Sequence, residues 1–283
     1  MADHPRPFHA PIRFTAPDGT PLHSPMVEAE IGGVSTRLVL DTGSDTHLLT
    51  AEFAEAAGLA VEPGEAGMDH AGTEIESGTA GTVPIRIGED TLALHSVVVI
   101  PAPPPFPGWG IGGIVSPQFL HPTAWIVIDM ADDALVFAET DEAELMSRLT
   151  SRHPDWPILV LDRIEDGTTV VQAAIEPHPP IPTLINTGGK STEFARAAIP
   201  DRLGGQSVRL GGGVSGADVM GTRLGPAVLA IGGMRIPVAD LTSRDEMDGV
   251  QGMVGMDVLR GTILACTAHP AGRVIWQVAL VPF

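Results

Sequence analysis

Two short stretches of this chain are near-copies of each other: Leu38-Val39-Leu40-Asp41-Thr42-Gly43 and Thr183-Leu184-Ile185-Asn186-Thr187-Gly188. In each, an apolar, strand-like run ends at a polar residue, and the Thr-Gly that follows permits a tight turn. Self-similarity of this kind indicates an internal duplication, which says more about the fold than one isolated motif.

Further landmarks repeat in the same order around the two stretches. Residues 52–57 are echoed by 193–198, and residues 110–115 by 249–254. Each half then closes with two strand-like runs, at 125–128 and 134–137 in the first half and at 262–265 and 273–276 in the second. The chain is therefore interpreted as two copies of one unit, with lobes predicted at 1–150 and 151–283 and a joint within 140–156.

The segments between these landmarks are short, rich in β-branched residues and separated by many turn residues, including 33 Gly and 26 Pro. Alternation of this type favours strands over helices. Helices are predicted only near 50–58, 140–149 and 191–198. We expect a mainly β protein.

Composition excludes several classes of function. A formal net charge of −19 argues against binding to nucleic acid or to an anionic membrane surface, because both need clustered Lys and Arg. The single cysteine, Cys266, excludes an internal disulfide. The ten histidines show no spacing typical of metal ligands, so no metal and no cofactor are expected. The start of the sequence lacks a basic-then-apolar layout, which predicts a cytoplasmic protein, and a monomer is expected.

The ordered set of motifs resembles the pepsin and retropepsin families of aspartic peptidases. Asp41-Thr42-Gly43 ends an apolar strand, and an apolar–Gly segment follows downstream in each half. The stretch Met253-Val254-Gly255-Met256-Asp257-Val258-Leu259 is similar to the C-terminal signature of retropepsins. The resemblance covers roughly residues 24–139 and 168–277. It implies a bilobal, double-ψ β-barrel-like fold with one motif loop from each lobe meeting at the floor of a cleft.

The resemblance also implies the roles of the motif residues. Asp41 and the residue at 186 would be the catalytic pair, and a peptide or protein substrate would lie extended between the lobes. In such a pair, two carboxylates about 3 Å apart share one proton, so that one activates water and the other polarises the peptide carbonyl. Thr42, Gly43, Ser44, Thr187 and Gly188 would support the two loops, each Thr bonding across to the opposite loop.

Position 186 departs from this pattern because it is Asn. An amide cannot ionise, so the shared proton is lost. Asp41 is then expected to titrate lower than a member of a dyad would and to be ionised at neutral pH. Asn186 keeps the capacity to donate a hydrogen bond to a carbonyl.

Two explanations of Asn186 stay open. Asp to Asn is the substitution that an experimenter would choose to silence such an enzyme. The alternative is a naturally remodelled loop, which is favoured by two differences between the halves. Ser44, whose hydroxyl is predicted to bond Asp41, is replaced by Gly189, and Asp41 precedes Glu52 by 11 positions whereas Asn186 precedes Glu193 by 7.

Substrate contacts are predicted at a few further positions. The chain contains no tyrosine, so the flap tyrosine of pepsins is absent, but a flap-like hairpin is predicted around 70–79. Its residues His70, Gly72 and Thr73 would cover a bound peptide. Trp109 and Lys190 are further candidates, with plain packing and solvation as their respective alternatives.

Three functions fit these features. The first is an atypical aspartic endopeptidase in which Asp41 activates water and Asn186 orients the carbonyl or the water. The second is a peptide-modifying enzyme that uses Asp41 as a proton-transfer base, for example in epimerisation or peptide maturation. The third is a non-catalytic peptide binder.

Overall fold

The structure, a computed structural model, describes residues 8–68, 71–163, 167–201, 204–245, 247, 249–267 and 273–278. Strands account for 52% of the residues and helices for 12%. The predicted mainly β, bilobal fold is confirmed.

The first half of the chain contains twelve strands and three α-helices among the described residues. The strands are β1 (Phe8–Thr15), β2 (Pro21–Ile31), β3 (Val34–Leu40), β4 (Leu48–Thr50), β5 (Glu62–Pro63), β6 (Gly67–Met68), β7 (Glu74–Ile75), β8 (Gly78–Ile87), β9 (Asp90–Ile100), β10 (Ile111–Val115), β11 (Trp125–Asp129) and β12 (Ala134–Ala138). The helices are α1 (Ala51–Ala56), α2 (Phe106–Trp109) and α3 (Glu142–Arg152), and a 3-10 turn spans Pro117–Phe119.

The second half contributes ten described strands and one short α-helix. The strands are β13 (Ile158–Asp162), β14 (Val170–Ile175), β15 (Ile181–Ile185), β16 (Glu193–Ala195), β17 (Gln206–Gly212), β18 (Asp218–Ile231), β19 (Met234–Arg244), β20 (Gly252–Val254), β21 (Ile263–Cys266) and β22 (Arg273–Gln277). The helix is α4 (Met256–Leu259), and a 3-10 turn spans Arg196–Ala198.

Each half closes six strands into a ring with the same neighbour order. In the first half the order is β2-β3-β10-β4-β9-β8, closed by pairing of β2 with β8; in the second it is β14-β15-β20-β16-β19-β18, closed by pairing of β14 with β18. The parallel pairs match as well, β3 with β10 as β15 with β20, and β4 with β9 as β16 with β19. Two rings of one topology are what a duplicated unit produces.

Strands from both halves of the chain form a shared sheet, which continues into the first ring through the pairing of β1 with β2. Its order is β13-β22-β21-β11-β12-β1, so each half of the chain supplies three of its six strands. Helix α3 packs on one face, where its Leu145 and Leu149 are buried against Trp125 and Ile275. Asp141 caps the helix by accepting the Glu144 N–H at 2.8 Å. Helix α3 lies within the joint predicted at 140–156, whereas the domain boundary at 150 itself stays a prediction.

Two of the three predicted helices are confirmed, at α1 and α3, but the third is wrong. Residues 193–195 form strand β16, which pairs with β19 and β20, and only Arg196–Ala198 forms a 3-10 turn. Helical propensity in this alanine-rich stretch is overridden by pairing inside the second ring. No helix in the described ranges combines the length and apolarity needed to cross a bilayer.

Candidate active site

The two Thr-Gly turns meet back to back and are tied together by reciprocal hydrogen bonds. The Thr42 N–H donates to Thr187 Oγ1 at 3.0 Å, and the Thr187 N–H donates to Thr42 Oγ1 at 3.1 Å. Each hydroxyl then donates across to the strand before the other turn: Thr42 Oγ1 to the carbonyl of Ile185, and Thr187 Oγ1 to that of Leu40, both at 2.6 Å. Both threonines are fully buried. The predicted cross-bonding of the motif threonines is therefore present in the structure.

Asp41 and Asn186 occupy equivalent positions in the two rings. The Asp41 N–H donates to the carbonyl of Val115, and the Asn186 N–H donates to that of Val254, both at 2.9 Å. These bonds hold each residue at the end of its strand beside the strand that lies parallel to it. The two side chains project from matching places in the two loops.

The motif glycines let the two side chains come close. A Cβ on Gly43 would lie 2.6 Å from Asn186 Cγ, and a Cβ on Gly188 would lie 2.6 Å from Asp41 Oδ1. Real Cβ atoms do not approach so closely, so each glycine is required by contact with the opposite loop rather than by its own dihedral angles. The structure thus brings together six motif residues: Asp41, Thr42, Gly43, Asn186, Thr187 and Gly188.

Asp41 is half-buried at this junction. Burial raises the pKa of its carboxyl above the ordinary aspartate value, and hydrogen bonds from the N–H groups of Gly43, Gly188 and Ser44 oppose the rise. That the pKa of Asp41 lies below that of a member of a two-aspartate dyad stays a prediction. The expected bond from the Ser44 hydroxyl is wrong, because that hydroxyl donates to the carbonyl of Thr46 at 2.7 Å and only the Ser44 backbone faces Asp41.

The orientation of the Asn186 amide follows from its neighbours. Its Oδ1 accepts the N–H groups of Gly188 at 2.8 Å and Gly189 at 3.0 Å, which assigns the oxygen to that side. Its Nδ2 donates to the thioether of Met253 at 3.0 Å. An amide NH₂ has two N–H donors and sulfur is a weak acceptor, so Asn186 retains donor capacity for a carbonyl oxygen.

The sequence alignment of the second loop needs correction. Register places Glu193 opposite Met253 in the second ring, as Leu48 lies opposite Ile114 in the first. Leu48 follows Asp41 by 7 positions, as Glu193 follows Asn186 by 7. The predicted contraction of the loop is therefore wrong, and its support for a naturally remodelled Asn186 is removed. The replacement of Ser44 by Gly189 stands.

At this position, the apolar Leu48 of the first ring is replaced by a buried charge pair in the second. Glu193 lies 3.0 Å from Arg244 Nε, with 5% of the Glu193 side chain exposed. Burial raises the pKa of Glu193 to about 7, and Arg244 opposes the rise. The hydroxyl of the neighbouring Thr192 donates to Asp257 Oδ1 at 2.8 Å and accepts the Gly255 N–H.

His47 is the corresponding buried polar group behind the first loop. Its Nδ1 accepts the Ser116 N–H at 3.2 Å. At the equivalent place in the second half, the Thr192 hydroxyl accepts the Gly255 N–H. Burial lowers the pKa of His47 to about 4, so the ring is neutral near pH 7.

His47 and Glu193 should have opposite effects on the pH dependence of stability. The folded pKa of His47 is below its usual 6.5. Its contribution to the free energy of unfolding is therefore complete above pH 6.5 and is lost as the pH falls to 4. The folded pKa of Glu193 is above its usual 4.5, so its contribution is complete below pH 4.5 and is lost as the pH rises to 7. At 1.36 kcal/mol per pH unit, each amounts to about 3 kcal/mol.

Single variants separate the two contributions in urea denaturation. Relative to the wild type, Glu193→Gln should gain about 3 kcal/mol of unfolding free energy as the pH rises from 4.5 to 7. His47→Asn, which keeps an acceptor for Ser116, should gain about as much as the pH falls from 6.5 to 4. Curves that run parallel to the wild type in both variants would contradict these assignments.

A cleft of about 890 Å³ opens above the junction. Asp41, Gly43, Asn186, Gly188, Trp109 and Lys190 all line it. The hairpin of β6 and β7 lies where the flap is predicted, and Gly67 and Ile75 from it line the cleft. Gly72 and Thr73 lie at its tip, outside the lining, and His70 lies outside the described residues.

Several cleft residues could not be found from the sequence. His23 and Ser24 both contact the carbonyl of Gly188 at 3.2 Å, from 164 or more positions away. The glycine run at 211–213 belongs largely to the hairpin of β17 and β18, which lines the cleft from the second half of the chain. A Cβ on Gly216, beside the hairpin turn, would lie 3.1 Å from the Pro104 ring of the first half.

The two-lobed β fold, with two Thr-Gly turns meeting at a cleft, resembles the fold of aspartic peptidases. Residues 27–115, from β2 to β10, match the model of a family described as aspartyl protease. Asp41-Thr42-Gly43 lies inside the matched segment. A comparison of the chain with curated proteins found no match.

Proposed function

We propose that the protein is an atypical aspartic endopeptidase that hydrolyses a peptide held extended in the cleft. The observation that carries the proposal is the reciprocal bonding of Thr42 and Thr187, which sets Asp41 and Asn186 beside each other at the cleft floor. The match of the first half to aspartyl proteases supports a peptidase-like activity.

In this proposal, the ionised Asp41 carboxylate takes a proton from water as the water oxygen attacks the peptide carbonyl carbon. The Asn186 amide donates a hydrogen bond to the oxyanion that forms. Asp41 then returns its proton to the leaving nitrogen as the C–N bond breaks. One carboxylate thus serves first as base and then as acid, because Asn186 has no proton to give.

The walls of the cleft support a preference for large apolar side chains on the first-lobe side. Met26, Val39 and Ile111 form a buried cluster there. Partly buried apolar residues extend it to the cleft surface: Leu22, Phe106, Trp109 and Ile114. Trp109 packs against this cluster and also lines the cleft, so a packing role and the proposed contact with substrate are compatible. Apolar surface of this kind favours burial of an apolar side chain at roughly 25 cal/mol per Å².

Incubation with a peptide library tests the proposal when both fragment masses and residue chirality are read. The wild type should produce fragments whose summed mass exceeds the parent peptide by one water, and Asp41→Asn should produce none. A product of unchanged mass but altered stereochemistry that depends on Asp41 would replace hydrolysis by proton transfer. Tight binding without any product would leave a peptide binder.

A further inference from the structure

The two walls of the cleft differ in charge. The first-lobe wall is largely apolar, whereas the second lobe contributes Lys190, Glu193, Arg209 and Arg244. With Asp41, the described lining holds three cations and two acids, although the whole chain has a formal charge of −19. A locally cationic wall in an acidic protein concentrates anionic groups at that wall.

Two of these cations have carboxylate partners. Arg244 pairs with Glu193 at 3.0 Å, and Arg209 pairs with Asp218 across the β17–β18 hairpin. Among the residues that the structure describes, no carboxylate lies within ion-pair distance of Lys190, whose side chain is exposed. Lys190 is therefore the cleft cation available to a ligand in this part of the chain.

The backbone that carries Lys190 is held firmly. Its carbonyl accepts the Asp257 N–H at 3.1 Å, and the carbonyl of Gly189 accepts the Met256 N–H at 2.8 Å. Gly189 also packs against Met253, because a Cβ there would lie 3.0 Å from the Met253 sulfur. A fixed stem limits the ordering that binding to Lys190 would require.

His23 lies beside Lys190 at the same end of the site. Its Nε2 lies 3.2 Å from the carbonyl of Gly188, the residue whose N–H faces Asp41. Burial is the main cause that lowers the pKa of His23, and the positive charge of Lys190 lowers it further. An anion placed beside both groups would offset the charge of Lys190 and favour the protonated form of His23.

We propose that Lys190, with His23 beside it, forms a subsite that binds a carboxylate of the bound peptide next to the reacting bond. This inference rests on the proposed function and deepens it by naming a substrate class. The carboxylate comes from either of two sources, the C-terminus of a short peptide or an Asp or Glu side chain.

Affinity selection distinguishes these sources. The Asp41→Asn variant, which holds peptides without turning them over, is presented with a randomised hexapeptide library made as four pools. The pools have free or amidated C-termini, each with Asp and Glu either included or replaced by Asn and Gln. We expect the pool without any carboxylate to be recovered about three- to tenfold less well, as for a charge-assisted contact of roughly 1 kcal/mol. Which single change causes the loss identifies the source.

Further variants assign the effect to the subsite. Adding Lys190→Met should abolish the difference between pools, whereas Lys190→Arg should keep it. Arg86→Met, which removes a cation paired with Glu30 away from the cleft, is the matched control and should leave the difference unchanged. The NMR signals of the His23 ring should move towards the protonated form when a carboxylate peptide binds.

Equal recovery of all four pools, no recovery from any pool, or a difference that survives Lys190→Met would overturn the inference. Its failure is separate from that of the proposed function. Wild-type cleavage of carboxylate-free peptides at undiminished rates would leave the peptidase and remove the subsite. Carboxylate-dependent binding without cleavage would support the subsite and contradict the peptidase.

Discussion

Replacing Asn186 by Asp should raise the rate of peptide cleavage about a hundredfold or more. The new carboxyl would lie against Gly43 beside Asp41, where two acids would share one proton. The site would regain the acid that the amide cannot supply, and positioned acid–base groups contribute 10²- to 10⁴-fold, on the order of what is expected here. The measurement is kcat/KM on any peptide that the library assay identifies.

The pH profile of the same variant provides an independent check. In the wild type, cleavage should increase with pH through one ionisation, that of Asp41, displaced above the ordinary aspartate range by burial. Asn186→Asp should give a bell-shaped dependence of the rate on pH, because one acid must be ionised and the other protonated. Asn186→Ala, which removes the amide without adding an acid, is the control and should be slower than the wild type. A variant Asn186→Asp no faster than the wild type would rule out the missing acid as the limiting feature.

Gly188→Ala should lower Asp41-dependent activity about a hundredfold and destabilise the fold. The added methyl group would overlap the Asp41 carboxylate, and the surrounding loop is held in place by the hydrogen bonds between the buried Thr42 and Thr187. Overpacking of this kind costs roughly 1–3 kcal/mol, and a shift of the carboxylate by about 1 Å costs around a hundredfold in rate. Urea denaturation and kcat/KM measure the two effects.

Gly108→Ala is the matched control for that substitution. A Cβ at Gly108 meets nothing within 4 Å, so its stability and activity should stay near those of the wild type. Equal behaviour of the two alanine variants would contradict the close approach of Gly188 to Asp41.

The sequence predicted the features that depend on the duplicated motifs. Equivalent positions in two copies of a unit occupy equivalent places, so the repeat matched Asp41 with Asn186 and Thr42 with Thr187. That the two loops meet and that the threonines bond across was implied by the resemblance to aspartic peptidases. The two closed rings and the shared sheet are the architecture that such a repeat implies.

The predictions that were wrong relied on local sequence similarity between the two halves, whereas strand register sets the true alignment. The resemblance of 193–198 to 52–57 suggested a helix and a shortened loop, but strand pairing aligns Glu193 with Leu48. Nothing local distinguishes a buried Glu193 from an exposed one, because its partner Arg244 lies 51 positions away. The contact of His23 with Gly188 is equally remote and depends on the folded rings.

The proposed chemistry requires Asp41 and Asn186 to face each other, and an NMR titration of the Asp41 carboxyl carbon tests this most directly. In the wild type, Asp41 should titrate in a single step at a pKa above that of an ordinary aspartate. In Asn186→Asp, two coupled steps should appear, one moved to lower and one to higher pH. An Asp41 titration curve that is identical in both proteins would show that the two side chains do not share a site.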